Sequence, residues 1–351
     1  MSATPCKPLA DTALATRYSL VIPVYKNEGT IDRLLETLDD LNRRLDGLLE
    51  VVFVVDGSPD RSHALLREKL PAQEFSSELV CLSRNFGSFS AVRMGLSVAR
   101  GPHFAVMAAD LQEPPGLILD FFHTLAAEPV DIALGVRVER DDPLISKTSS
   151  NLFWSIYRRW VQHEMPPGGV DIFACNGQVR DALLSLEESN SSLVGQLIWL
   201  GFRKKCVPYH RQPRLEGKSG WTFRRKLRYM FDSIYAFTDL PLTLLTLVGS
   251  LGLLISVTLA VVILIARLVG VIPVPGYTPI ILAVLMSGSC QLLGLGIMGA
   301  YVWRTFENTK RRPGFIPMSH ESFPRCADAG KPTPGEVSVP ISCGTTGGCH
   351  P

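Results

Sequence analysis

The chain has 351 residues, 46% of them hydrophobic and 19% charged, enough for a domain with a full core plus further segments. Its 35 basic and 33 acidic side chains leave a formal charge of +2, which gives no support to a nucleic-acid partner. The eight cysteines, at 6, 81, 175, 206, 290, 326, 343 and 349, lack the paired short spacings of a zinc site.

Residues 1–17 form an N-terminal extension without the apolar stretch of a signal peptide, so the expectation is a domain that stays in the cytoplasm with its thiols reduced. An apolar β-branched run at 18–24 predicts a strand, and residues 30–45 follow with helical spacing at Ile31, Leu34, Leu35, Leu38, Leu41 and Leu45. Further strands are expected at 50–55, 79–82, 104–108 and 131–134, with helices from about Pro59, at 88–99 and at 114–127. Strands alternating with helices predict a mainly parallel sheet covered on both faces. Ligands of such sheets bind at the carboxyl ends of strands, where the strand order reverses.

Those ends are polar. They read Pro23, Val24, Tyr25, Lys26, Asn27, Glu28; Asp56, Gly57, Ser58, Pro59, Asp60; Ser83, Arg84, Asn85, Phe86, Gly87; and Asp110, Leu111, Gln112, Glu113, Pro114, Pro115. Each stretch alone is also ordinary turn and N-cap chemistry.

Further along, residues 222–238 place Phe223, Leu227, Met230, Phe231, Ile234 and Phe237 on one stripe beside Arg224, Arg225, Lys226 and Arg228. A basic amphipathic helix of this kind lies in the lipid headgroup plane, or else packs on the preceding domain. Two uncharged runs, 242–266 and 279–301, are each long enough to cross a bilayer, and the Pro/Gly connector 267–278 between them forces a turn. Basic residues flank the pair (Arg224, Arg225, Lys226, Arg228 before; Arg304, Lys310, Arg311, Arg312 after), whereas the connector holds only Arg267. The positive-inside rule then predicts a multi-pass inner-membrane protein with both termini and the domain cytoplasmic. Gly252 with Ser256 and Gly296 with Ala300 are expected at helix contacts, and Gln291 near mid-membrane is expected to bond another helix, within the hairpin or in a homo-oligomer. The Gly/Pro/Ser-rich segment after Arg312 reads as a disordered tail.

Four such strand ends followed by two membrane runs resemble family 2 glycosyltransferases of the polyprenyl-phosphate type. The stretches that carry the resemblance are Arg84 to Gly87 with Ala91 and Gly95, Asp110 to Gln112 with Pro114 and Pro115, Arg214 to Trp221, and Gln291 to Gly296 with Tyr301 and Arg304. It implies an α/β fold of the GT-A, Rossmann-like kind at 18–221, an interfacial helix at 222–239, a transmembrane hairpin at 240–303 and a cytoplasmic tail at 304–351. The implied activity is inverting transfer of a sugar from a UDP- or GDP-sugar to a membrane polyprenyl phosphate. Pro23, Tyr25, Glu28, Asp56, Ser58, Arg84, Asn85, Gly87 and Arg137 would bind the donor, and Asp110 and Asp171 would be catalytic. Arg211, Arg214, Lys218 and Ser219 would hold the acceptor phosphate, although solvated loop charges explain Arg211 equally.

The same resemblance implies Mg²⁺ or Mn²⁺ on Asp110 and Gln112. The chain departs from the family pattern there, because Ala108 stands where the first Asp of an Asp-x-Asp motif belongs and Val55 stands for the first of a paired Asp. Hard cations draw their affinity from anionic oxygens, so both metal dependence and nucleotide identity are in question. A catalytically degenerate scaffold of the same fold is the alternative. A processive polysaccharide synthase fits less well, since residues 196–203 lack its Gln-x-x-Arg-Trp motif.

Overall fold

The structure is a computed structural model that describes residues 16–137, 164–166, 170–186, 188, 192–212, 234–235, 238, 240–269 and 277–325. In chain order the strands are β1 (Tyr18–Val24), β2 (Leu49–Val55), β3 (Ser76–Leu82), β4 (His103–Val106), β5 (Ile132–Arg137), β6 (Phe173–Asn176), β7 (Lys204–Tyr209) and β8 (Pro317–Phe323). The helices are α1 (Ile31–Arg44), α2 (Ser62–Lys69), α3 (Ser88–Val98), α4 (Pro115–Ala127), α5 (Gly177–Ser185), α6 (Leu193–Trp199), α7 (Leu240–Leu268) and α8 (Tyr277–Thr309).

All strands join one sheet in the order β7-β5-β6-β4-β1-β2-β3-β8. Successive side chains of a strand face opposite ways. Leu20, Ile22 and Val24 of β1 and Val51, Phe53 and Val55 of β2 therefore pack beneath α1 and α4, while Val21, Val52 and Val54 pack with α3 and α5 on the other side. Burial on both faces is what an uninterrupted Val/Ile/Leu strand sequence encodes. Close approach also shapes this core, because a Cβ on Gly95 of α3 would come within 2.2 Å of a Val21 methyl.

The sheet is mixed rather than mainly parallel at its edges. β1, β2, β3 and β4 run parallel, and β5 runs parallel to β7. β6 runs antiparallel between β4 and β5, and β8 antiparallel along β3. Asp131 ties the β5-β6-β7 side together, accepting from Arg203 Nε at 2.9 Å and Nη2 at 3.0 Å and from Asn176 Nδ2 at 2.9 Å.

β8 corrects the expected disordered tail in its first part, residues 313–325; residues 326–351 lie outside the described residues. α8 continues to Thr309, and the chain then returns to the domain, where Ser83 N–H bonds Ile316 O at 3.0 Å and β8 zips along β3. A buried acid explains why so polar a segment docks. Glu78, 3% exposed, accepts from Arg100 Nη2 at 2.6 Å, from Ser322 Oγ and from His320 Nε2 at 2.8 Å. Arg100 also reaches fully buried Glu50 at 2.7 Å, which takes Ser19 Oγ at 2.6 Å. A buried carboxylate needs such partners, and β8 supplies two of those on Glu78.

Helices α7 and α8 extend 29 and 33 residues, with Pro241 in the first turn of α7 where its missing N–H costs nothing. Among the described residues no helix is long and apolar enough to cross a membrane. The two helices meet where Gly294 faces Leu245, whose methyl would lie 3.5 Å from a Cβ there, and just before α7 the Thr238 carbonyl accepts from Tyr301 Oη of α8 at 3.4 Å. Gly252 and Gly296, expected at helix contacts, have nothing of the same chain within 4 Å of a Cβ among the described residues. Of the amphipathic helix 222–238, only residues 234–235 and 238 are described.

The β8 contacts predict opposite results for two truncations. A stop after Arg325 keeps β8 and leaves the unfolding temperature of the detergent-solubilised protein unchanged, whereas a stop after Pro313 lowers it by at least about 5 °C, measured by differential scanning fluorimetry. Equal stability of the two truncated proteins would show that β8 adds nothing to the sheet.

Candidate active site

The strand order places a crevice between β1 and β4. β1 leads to β2 and β3 on one side, β4 lies on the other, and the connections leave their carboxyl ends in opposite directions. Thr30, at the start of α1, spans the crevice by donating from Oγ1 to Ala109 O at 3.0 Å.

On the β1 side, Lys26 takes a left-handed φ of 59°, which turns the chain so that successive backbone N–H groups face the loop after β2. Lys26 N–H bonds Ser58 Oγ at 2.8 Å, Glu28 N–H bonds Asp60 Oδ2 at 3.2 Å, and Arg61 N–H bonds Glu28 Oε2 at 3.0 Å. Burial alone would raise the Asp60 pKa, but hydrogen bonds from Ser58, Ser62 and Glu28 N–H hold it below the ordinary value. Between these loops lies an open cleft of about 380 Å³ lined by Lys26, Glu28, Thr30 and Asp60. Tyr25 stands at its side, 43% exposed.

Asp56 acts from beneath. It is 2% exposed, and its two oxygens accept from Phe86 N–H at 2.7 Å and Gly87 N–H at 2.8 Å. Asn85 Nδ2 reaches Asp56 O at 3.3 Å, and Gly87 takes a φ of 97° to start α3. Gly57 has a φ of 57°, and a Cβ there would lie 2.3 Å from the Arg84 carbonyl carbon, so no other residue fits. Asp56 therefore shapes the Arg84 to Gly87 turn, and any contact with a ligand would be made by that turn.

Across the crevice, Leu111 (φ 55°) turns the chain after β4, and Asp110 Oδ1 accepts Gln112 N–H at 3.4 Å. Glu113, which the sequence reading passed over, is 2% exposed, with Oε2 on Ala108 N–H at 3.3 Å. Burial, then the charges of Asp110 and Asp171, push its pKa up to about 7, against the pull of Arg211 and the Ala108 amide. Asp171 and Arg137 come together as a two-pronged ion pair, with the Nη2 contact at 2.7 Å. Tyr209 Oη donates to the same Asp171 at 2.7 Å, and burial followed by the Asp171 charge raises the phenol's pKa. Arg211 leaves β7 and pairs with Gln112 Oε1 through Nη2, while Gln212 N–H bonds Gln112 O at 2.9 Å. Arg214, Lys218, Ser219 and Trp221 fall outside the described residues.

The Glycosyl transferase family 2 model matches residues 19–184, the strands and turns that make this crevice. A glycosyltransferase of Synechocystis, sll0501, is 30% identical over 85% of this chain and 93% of its own. CsbB of Bacillus subtilis, a putative glycosyltransferase, is 31% identical over 85% of this chain and 90% of its own. The chain belongs to glycosyl transferase family 2. Another relative, the undecaprenyl-phosphate 4-deoxy-4-formamido-L-arabinose transferase of Yersinia enterocolitica, is 30% identical over 88% and 94%. Among solved structures, the mannosyltransferase PcManGT of Pyrobaculum calidifontis, in complex with GDP-Man and Mn²⁺, covers 82% of this chain and 88% of its own at 16% identity. Its TM-score of 0.41 is too low to transfer any detail.

As a family 2 glycosyltransferase the chain would be expected to hold Mg²⁺ or Mn²⁺ at Asp110 and Gln112, and the side chains do not fit that ion as they stand. No three His, Cys, Asp or Glu side chains among the described residues are grouped to hold a metal. The Gln112 oxygen is taken by a guanidinium, Glu113 is buried on an amide, and residue 108 is Ala. Among the described residues that leaves the turn one carboxylate, Asp110, where an Asp-x-Asp motif supplies two, so the side chains alone make a poor site for a hard divalent cation. A buried Glu113 with a raised pKa, beside Pro114 and Pro115, is legible in the sequence only as a charge at a helix start, which is ordinary.

Because the folded-state pKa of Glu113 lies at about 7, against an ordinary 4.5, the folded protein keeps a proton that the unfolded chain has lost. Stability is full below about pH 4.5 and falls as the pH rises to about 7, by up to about 3 kcal/mol. Glu113→Gln is expected to flatten this slope in denaturation curves taken between pH 5 and 8; an unchanged slope would place the proton elsewhere.

Proposed function

We propose that this family 2 glycosyltransferase moves one sugar, with inversion, from a UDP- or GDP-sugar to a polyprenyl phosphate at the cytoplasmic face of the inner membrane. The observation that carries the reading is the apolar surface of α7 and α8. Leu247 (63% exposed), Leu254 (64%), Leu292 (71%) and Leu295 (68%) stand bare beside a nucleotide-sugar fold. Patches of this kind are covered by lipid or by another chain. Residues 240–266 and 277–303 hold no charged side chain, which is the composition that contact with lipid requires. β8 supports a return to the starting side, since the segment after α8 docks on the same sheet that precedes α7. The basic flanks of both helices support a cytoplasmic domain.

A lipid-borne phosphate is already anionic at neutral pH, so no strong base is needed to activate it. Its oxygen attacks the anomeric carbon on the face opposite the nucleotide, the new bond joins that oxygen to the sugar, and the bond from the anomeric carbon to the diphosphate oxygen breaks. The electron pair leaves with the nucleoside diphosphate, and no proton has to move. The cleft between Lys26 and Asp60 takes the nucleoside, and the Arg84 to Gly87 turn and Arg137 face the donor. Asp171, with both oxygens bonded to Arg137 and one also to Tyr209, orients the site and is a poor base. Arg214, Lys218 and Ser219 would meet the acceptor phosphate.

Purified protein is expected to transfer label from at least one UDP- or GDP-sugar to undecaprenyl phosphate, and Asp110→Asn to lower that rate by at least about 100-fold without altering the unfolding temperature. No lipid-linked product from any donor in the panel would favour the degenerate scaffold. Gln291 lies exposed among apolar neighbours. An unpaired amide is costly in lipid, and a second copy of the chain would give it a partner. Gln291→Leu should therefore shift the detergent-solubilised protein toward monomer in light scattering, and an unchanged mass would remove this contact from the assembly.

A further inference from the structure

Arg211 stands against the Asp110 turn, and its position is built rather than incidental. The backbone bond from Gln212 N–H to Gln112 O fixes the chain at 2.9 Å, and the Arg211 Nη2 bond to Gln112 Oε1 fixes the head group. Its Nε is buried and has no hydrogen-bond partner in the described structure. A buried N–H without an acceptor is rare, because it forfeits its bonds to water without replacing them. The neighbouring acids do not use it. Glu113 puts its oxygen on the Ala108 amide, Asp110 turns to Gln112 N–H, and Asp171 is held by Arg137 and Tyr209.

We infer that Arg211 is the resident cation of the donor site: its guanidinium holds the Gln112 oxygen through Nη2 and turns its charge and remaining N–H groups to the diphosphate of the nucleotide, so the site binds its donor without a divalent metal. This deepens the glycosyltransfer reading and rests on it. A guanidinium is suited to the task, since its fixed planar fork matches phosphate oxygens, it stays charged at any working pH, and it desolvates more readily than an ammonium. Charge growing on the departing diphosphate is then met by a donor already in place, which needs no reorganisation during the reaction. Arg211 thereby moves from the acceptor side, where the family resemblance had put it, to the donor side.

The test is isothermal titration of the full-length protein in detergent with UDP and with GDP, in excess EDTA and again with Mn²⁺. The expected result is binding of at least one nucleotide in EDTA, unchanged by Mn²⁺, and weakened about 10- to 100-fold by Arg211→Ala. Arg211→Lys keeps the charge and loses the fork, so it should fall between the two. Equal unfolding temperatures of the three proteins in the absence of nucleotide tie the loss to binding rather than to folding. Binding that appears only with Mn²⁺, or an Arg211→Ala protein that binds as the parent does, overturns the inference and leaves the glycosyltransfer reading standing. Binding of neither nucleotide, with or without Mn²⁺, overturns that reading and the inference with it.

Discussion

The divergence of β1 and β4 governs the molecule's chemistry. Two adjacent parallel strands whose connections depart on opposite sides leave a gap that no helix covers, and the loops at that gap have backbone groups to satisfy. Thr30 bridges it at one point. Elsewhere the loops satisfy each other: Lys26 with Ser58, Glu28 with Asp60, Phe86 and Gly87 with Asp56. A mouth laced in this way is rigid before any ligand arrives, which is the condition for polar groups to count in binding and in catalysis.

The same lacing separates residues that support from residues that touch. Asp56 and Asp171 look alike in sequence, each an Asp in a short polar stretch. In the fold, Asp56 is sealed beneath a turn, whereas Asp171 shares a half-exposed ion pair with Arg137 at the open side. Glu113 is a third case, a carboxyl group whose burial and acidic neighbours raise its pKa to about 7. Carboxylates spaced along one sheet edge thus acquire three different characters from their surroundings alone.

What the sequence disclosed follows from locality. α1 matches its apolar spacing nearly to the residue, and β1 matches its run completely, since both signals lie within one segment. β4 and β5 were displaced by a few residues, the usual fraying of ends. β6, β7 and β8 were not read as strands at all: they are short or polar, and they are strands because of partners distant in the chain, such as Glu78 for His320 and Ser322. At the site, the candidate turns were legible from their polar residues, but not which oxygens were already engaged. Arg211 meets Gln112 across 99 positions, and the sheet order β7-β5-β6-β4, which no local signal contains, sets the strands that carry them. The small-residue spacing of Gly252 and Gly296 marks a helix face, but within the chain it is Gly294 that approaches the other helix, because a spacing of four says nothing of what lies opposite.

The place of β8 in the chain sets an order of assembly. The ribosome delivers β1 to β7 first, then two long greasy helices, and last the strand that seals the outer margin of β3. Until that strand emerges, Glu78 lacks two of its bonds and the margin of the nascent sheet lies open to stray pairing. A nascent chain that stalls between α7 and α8 would therefore carry a nearly finished but unsealed domain, and completion of the soluble part waits on synthesis of the greasy part.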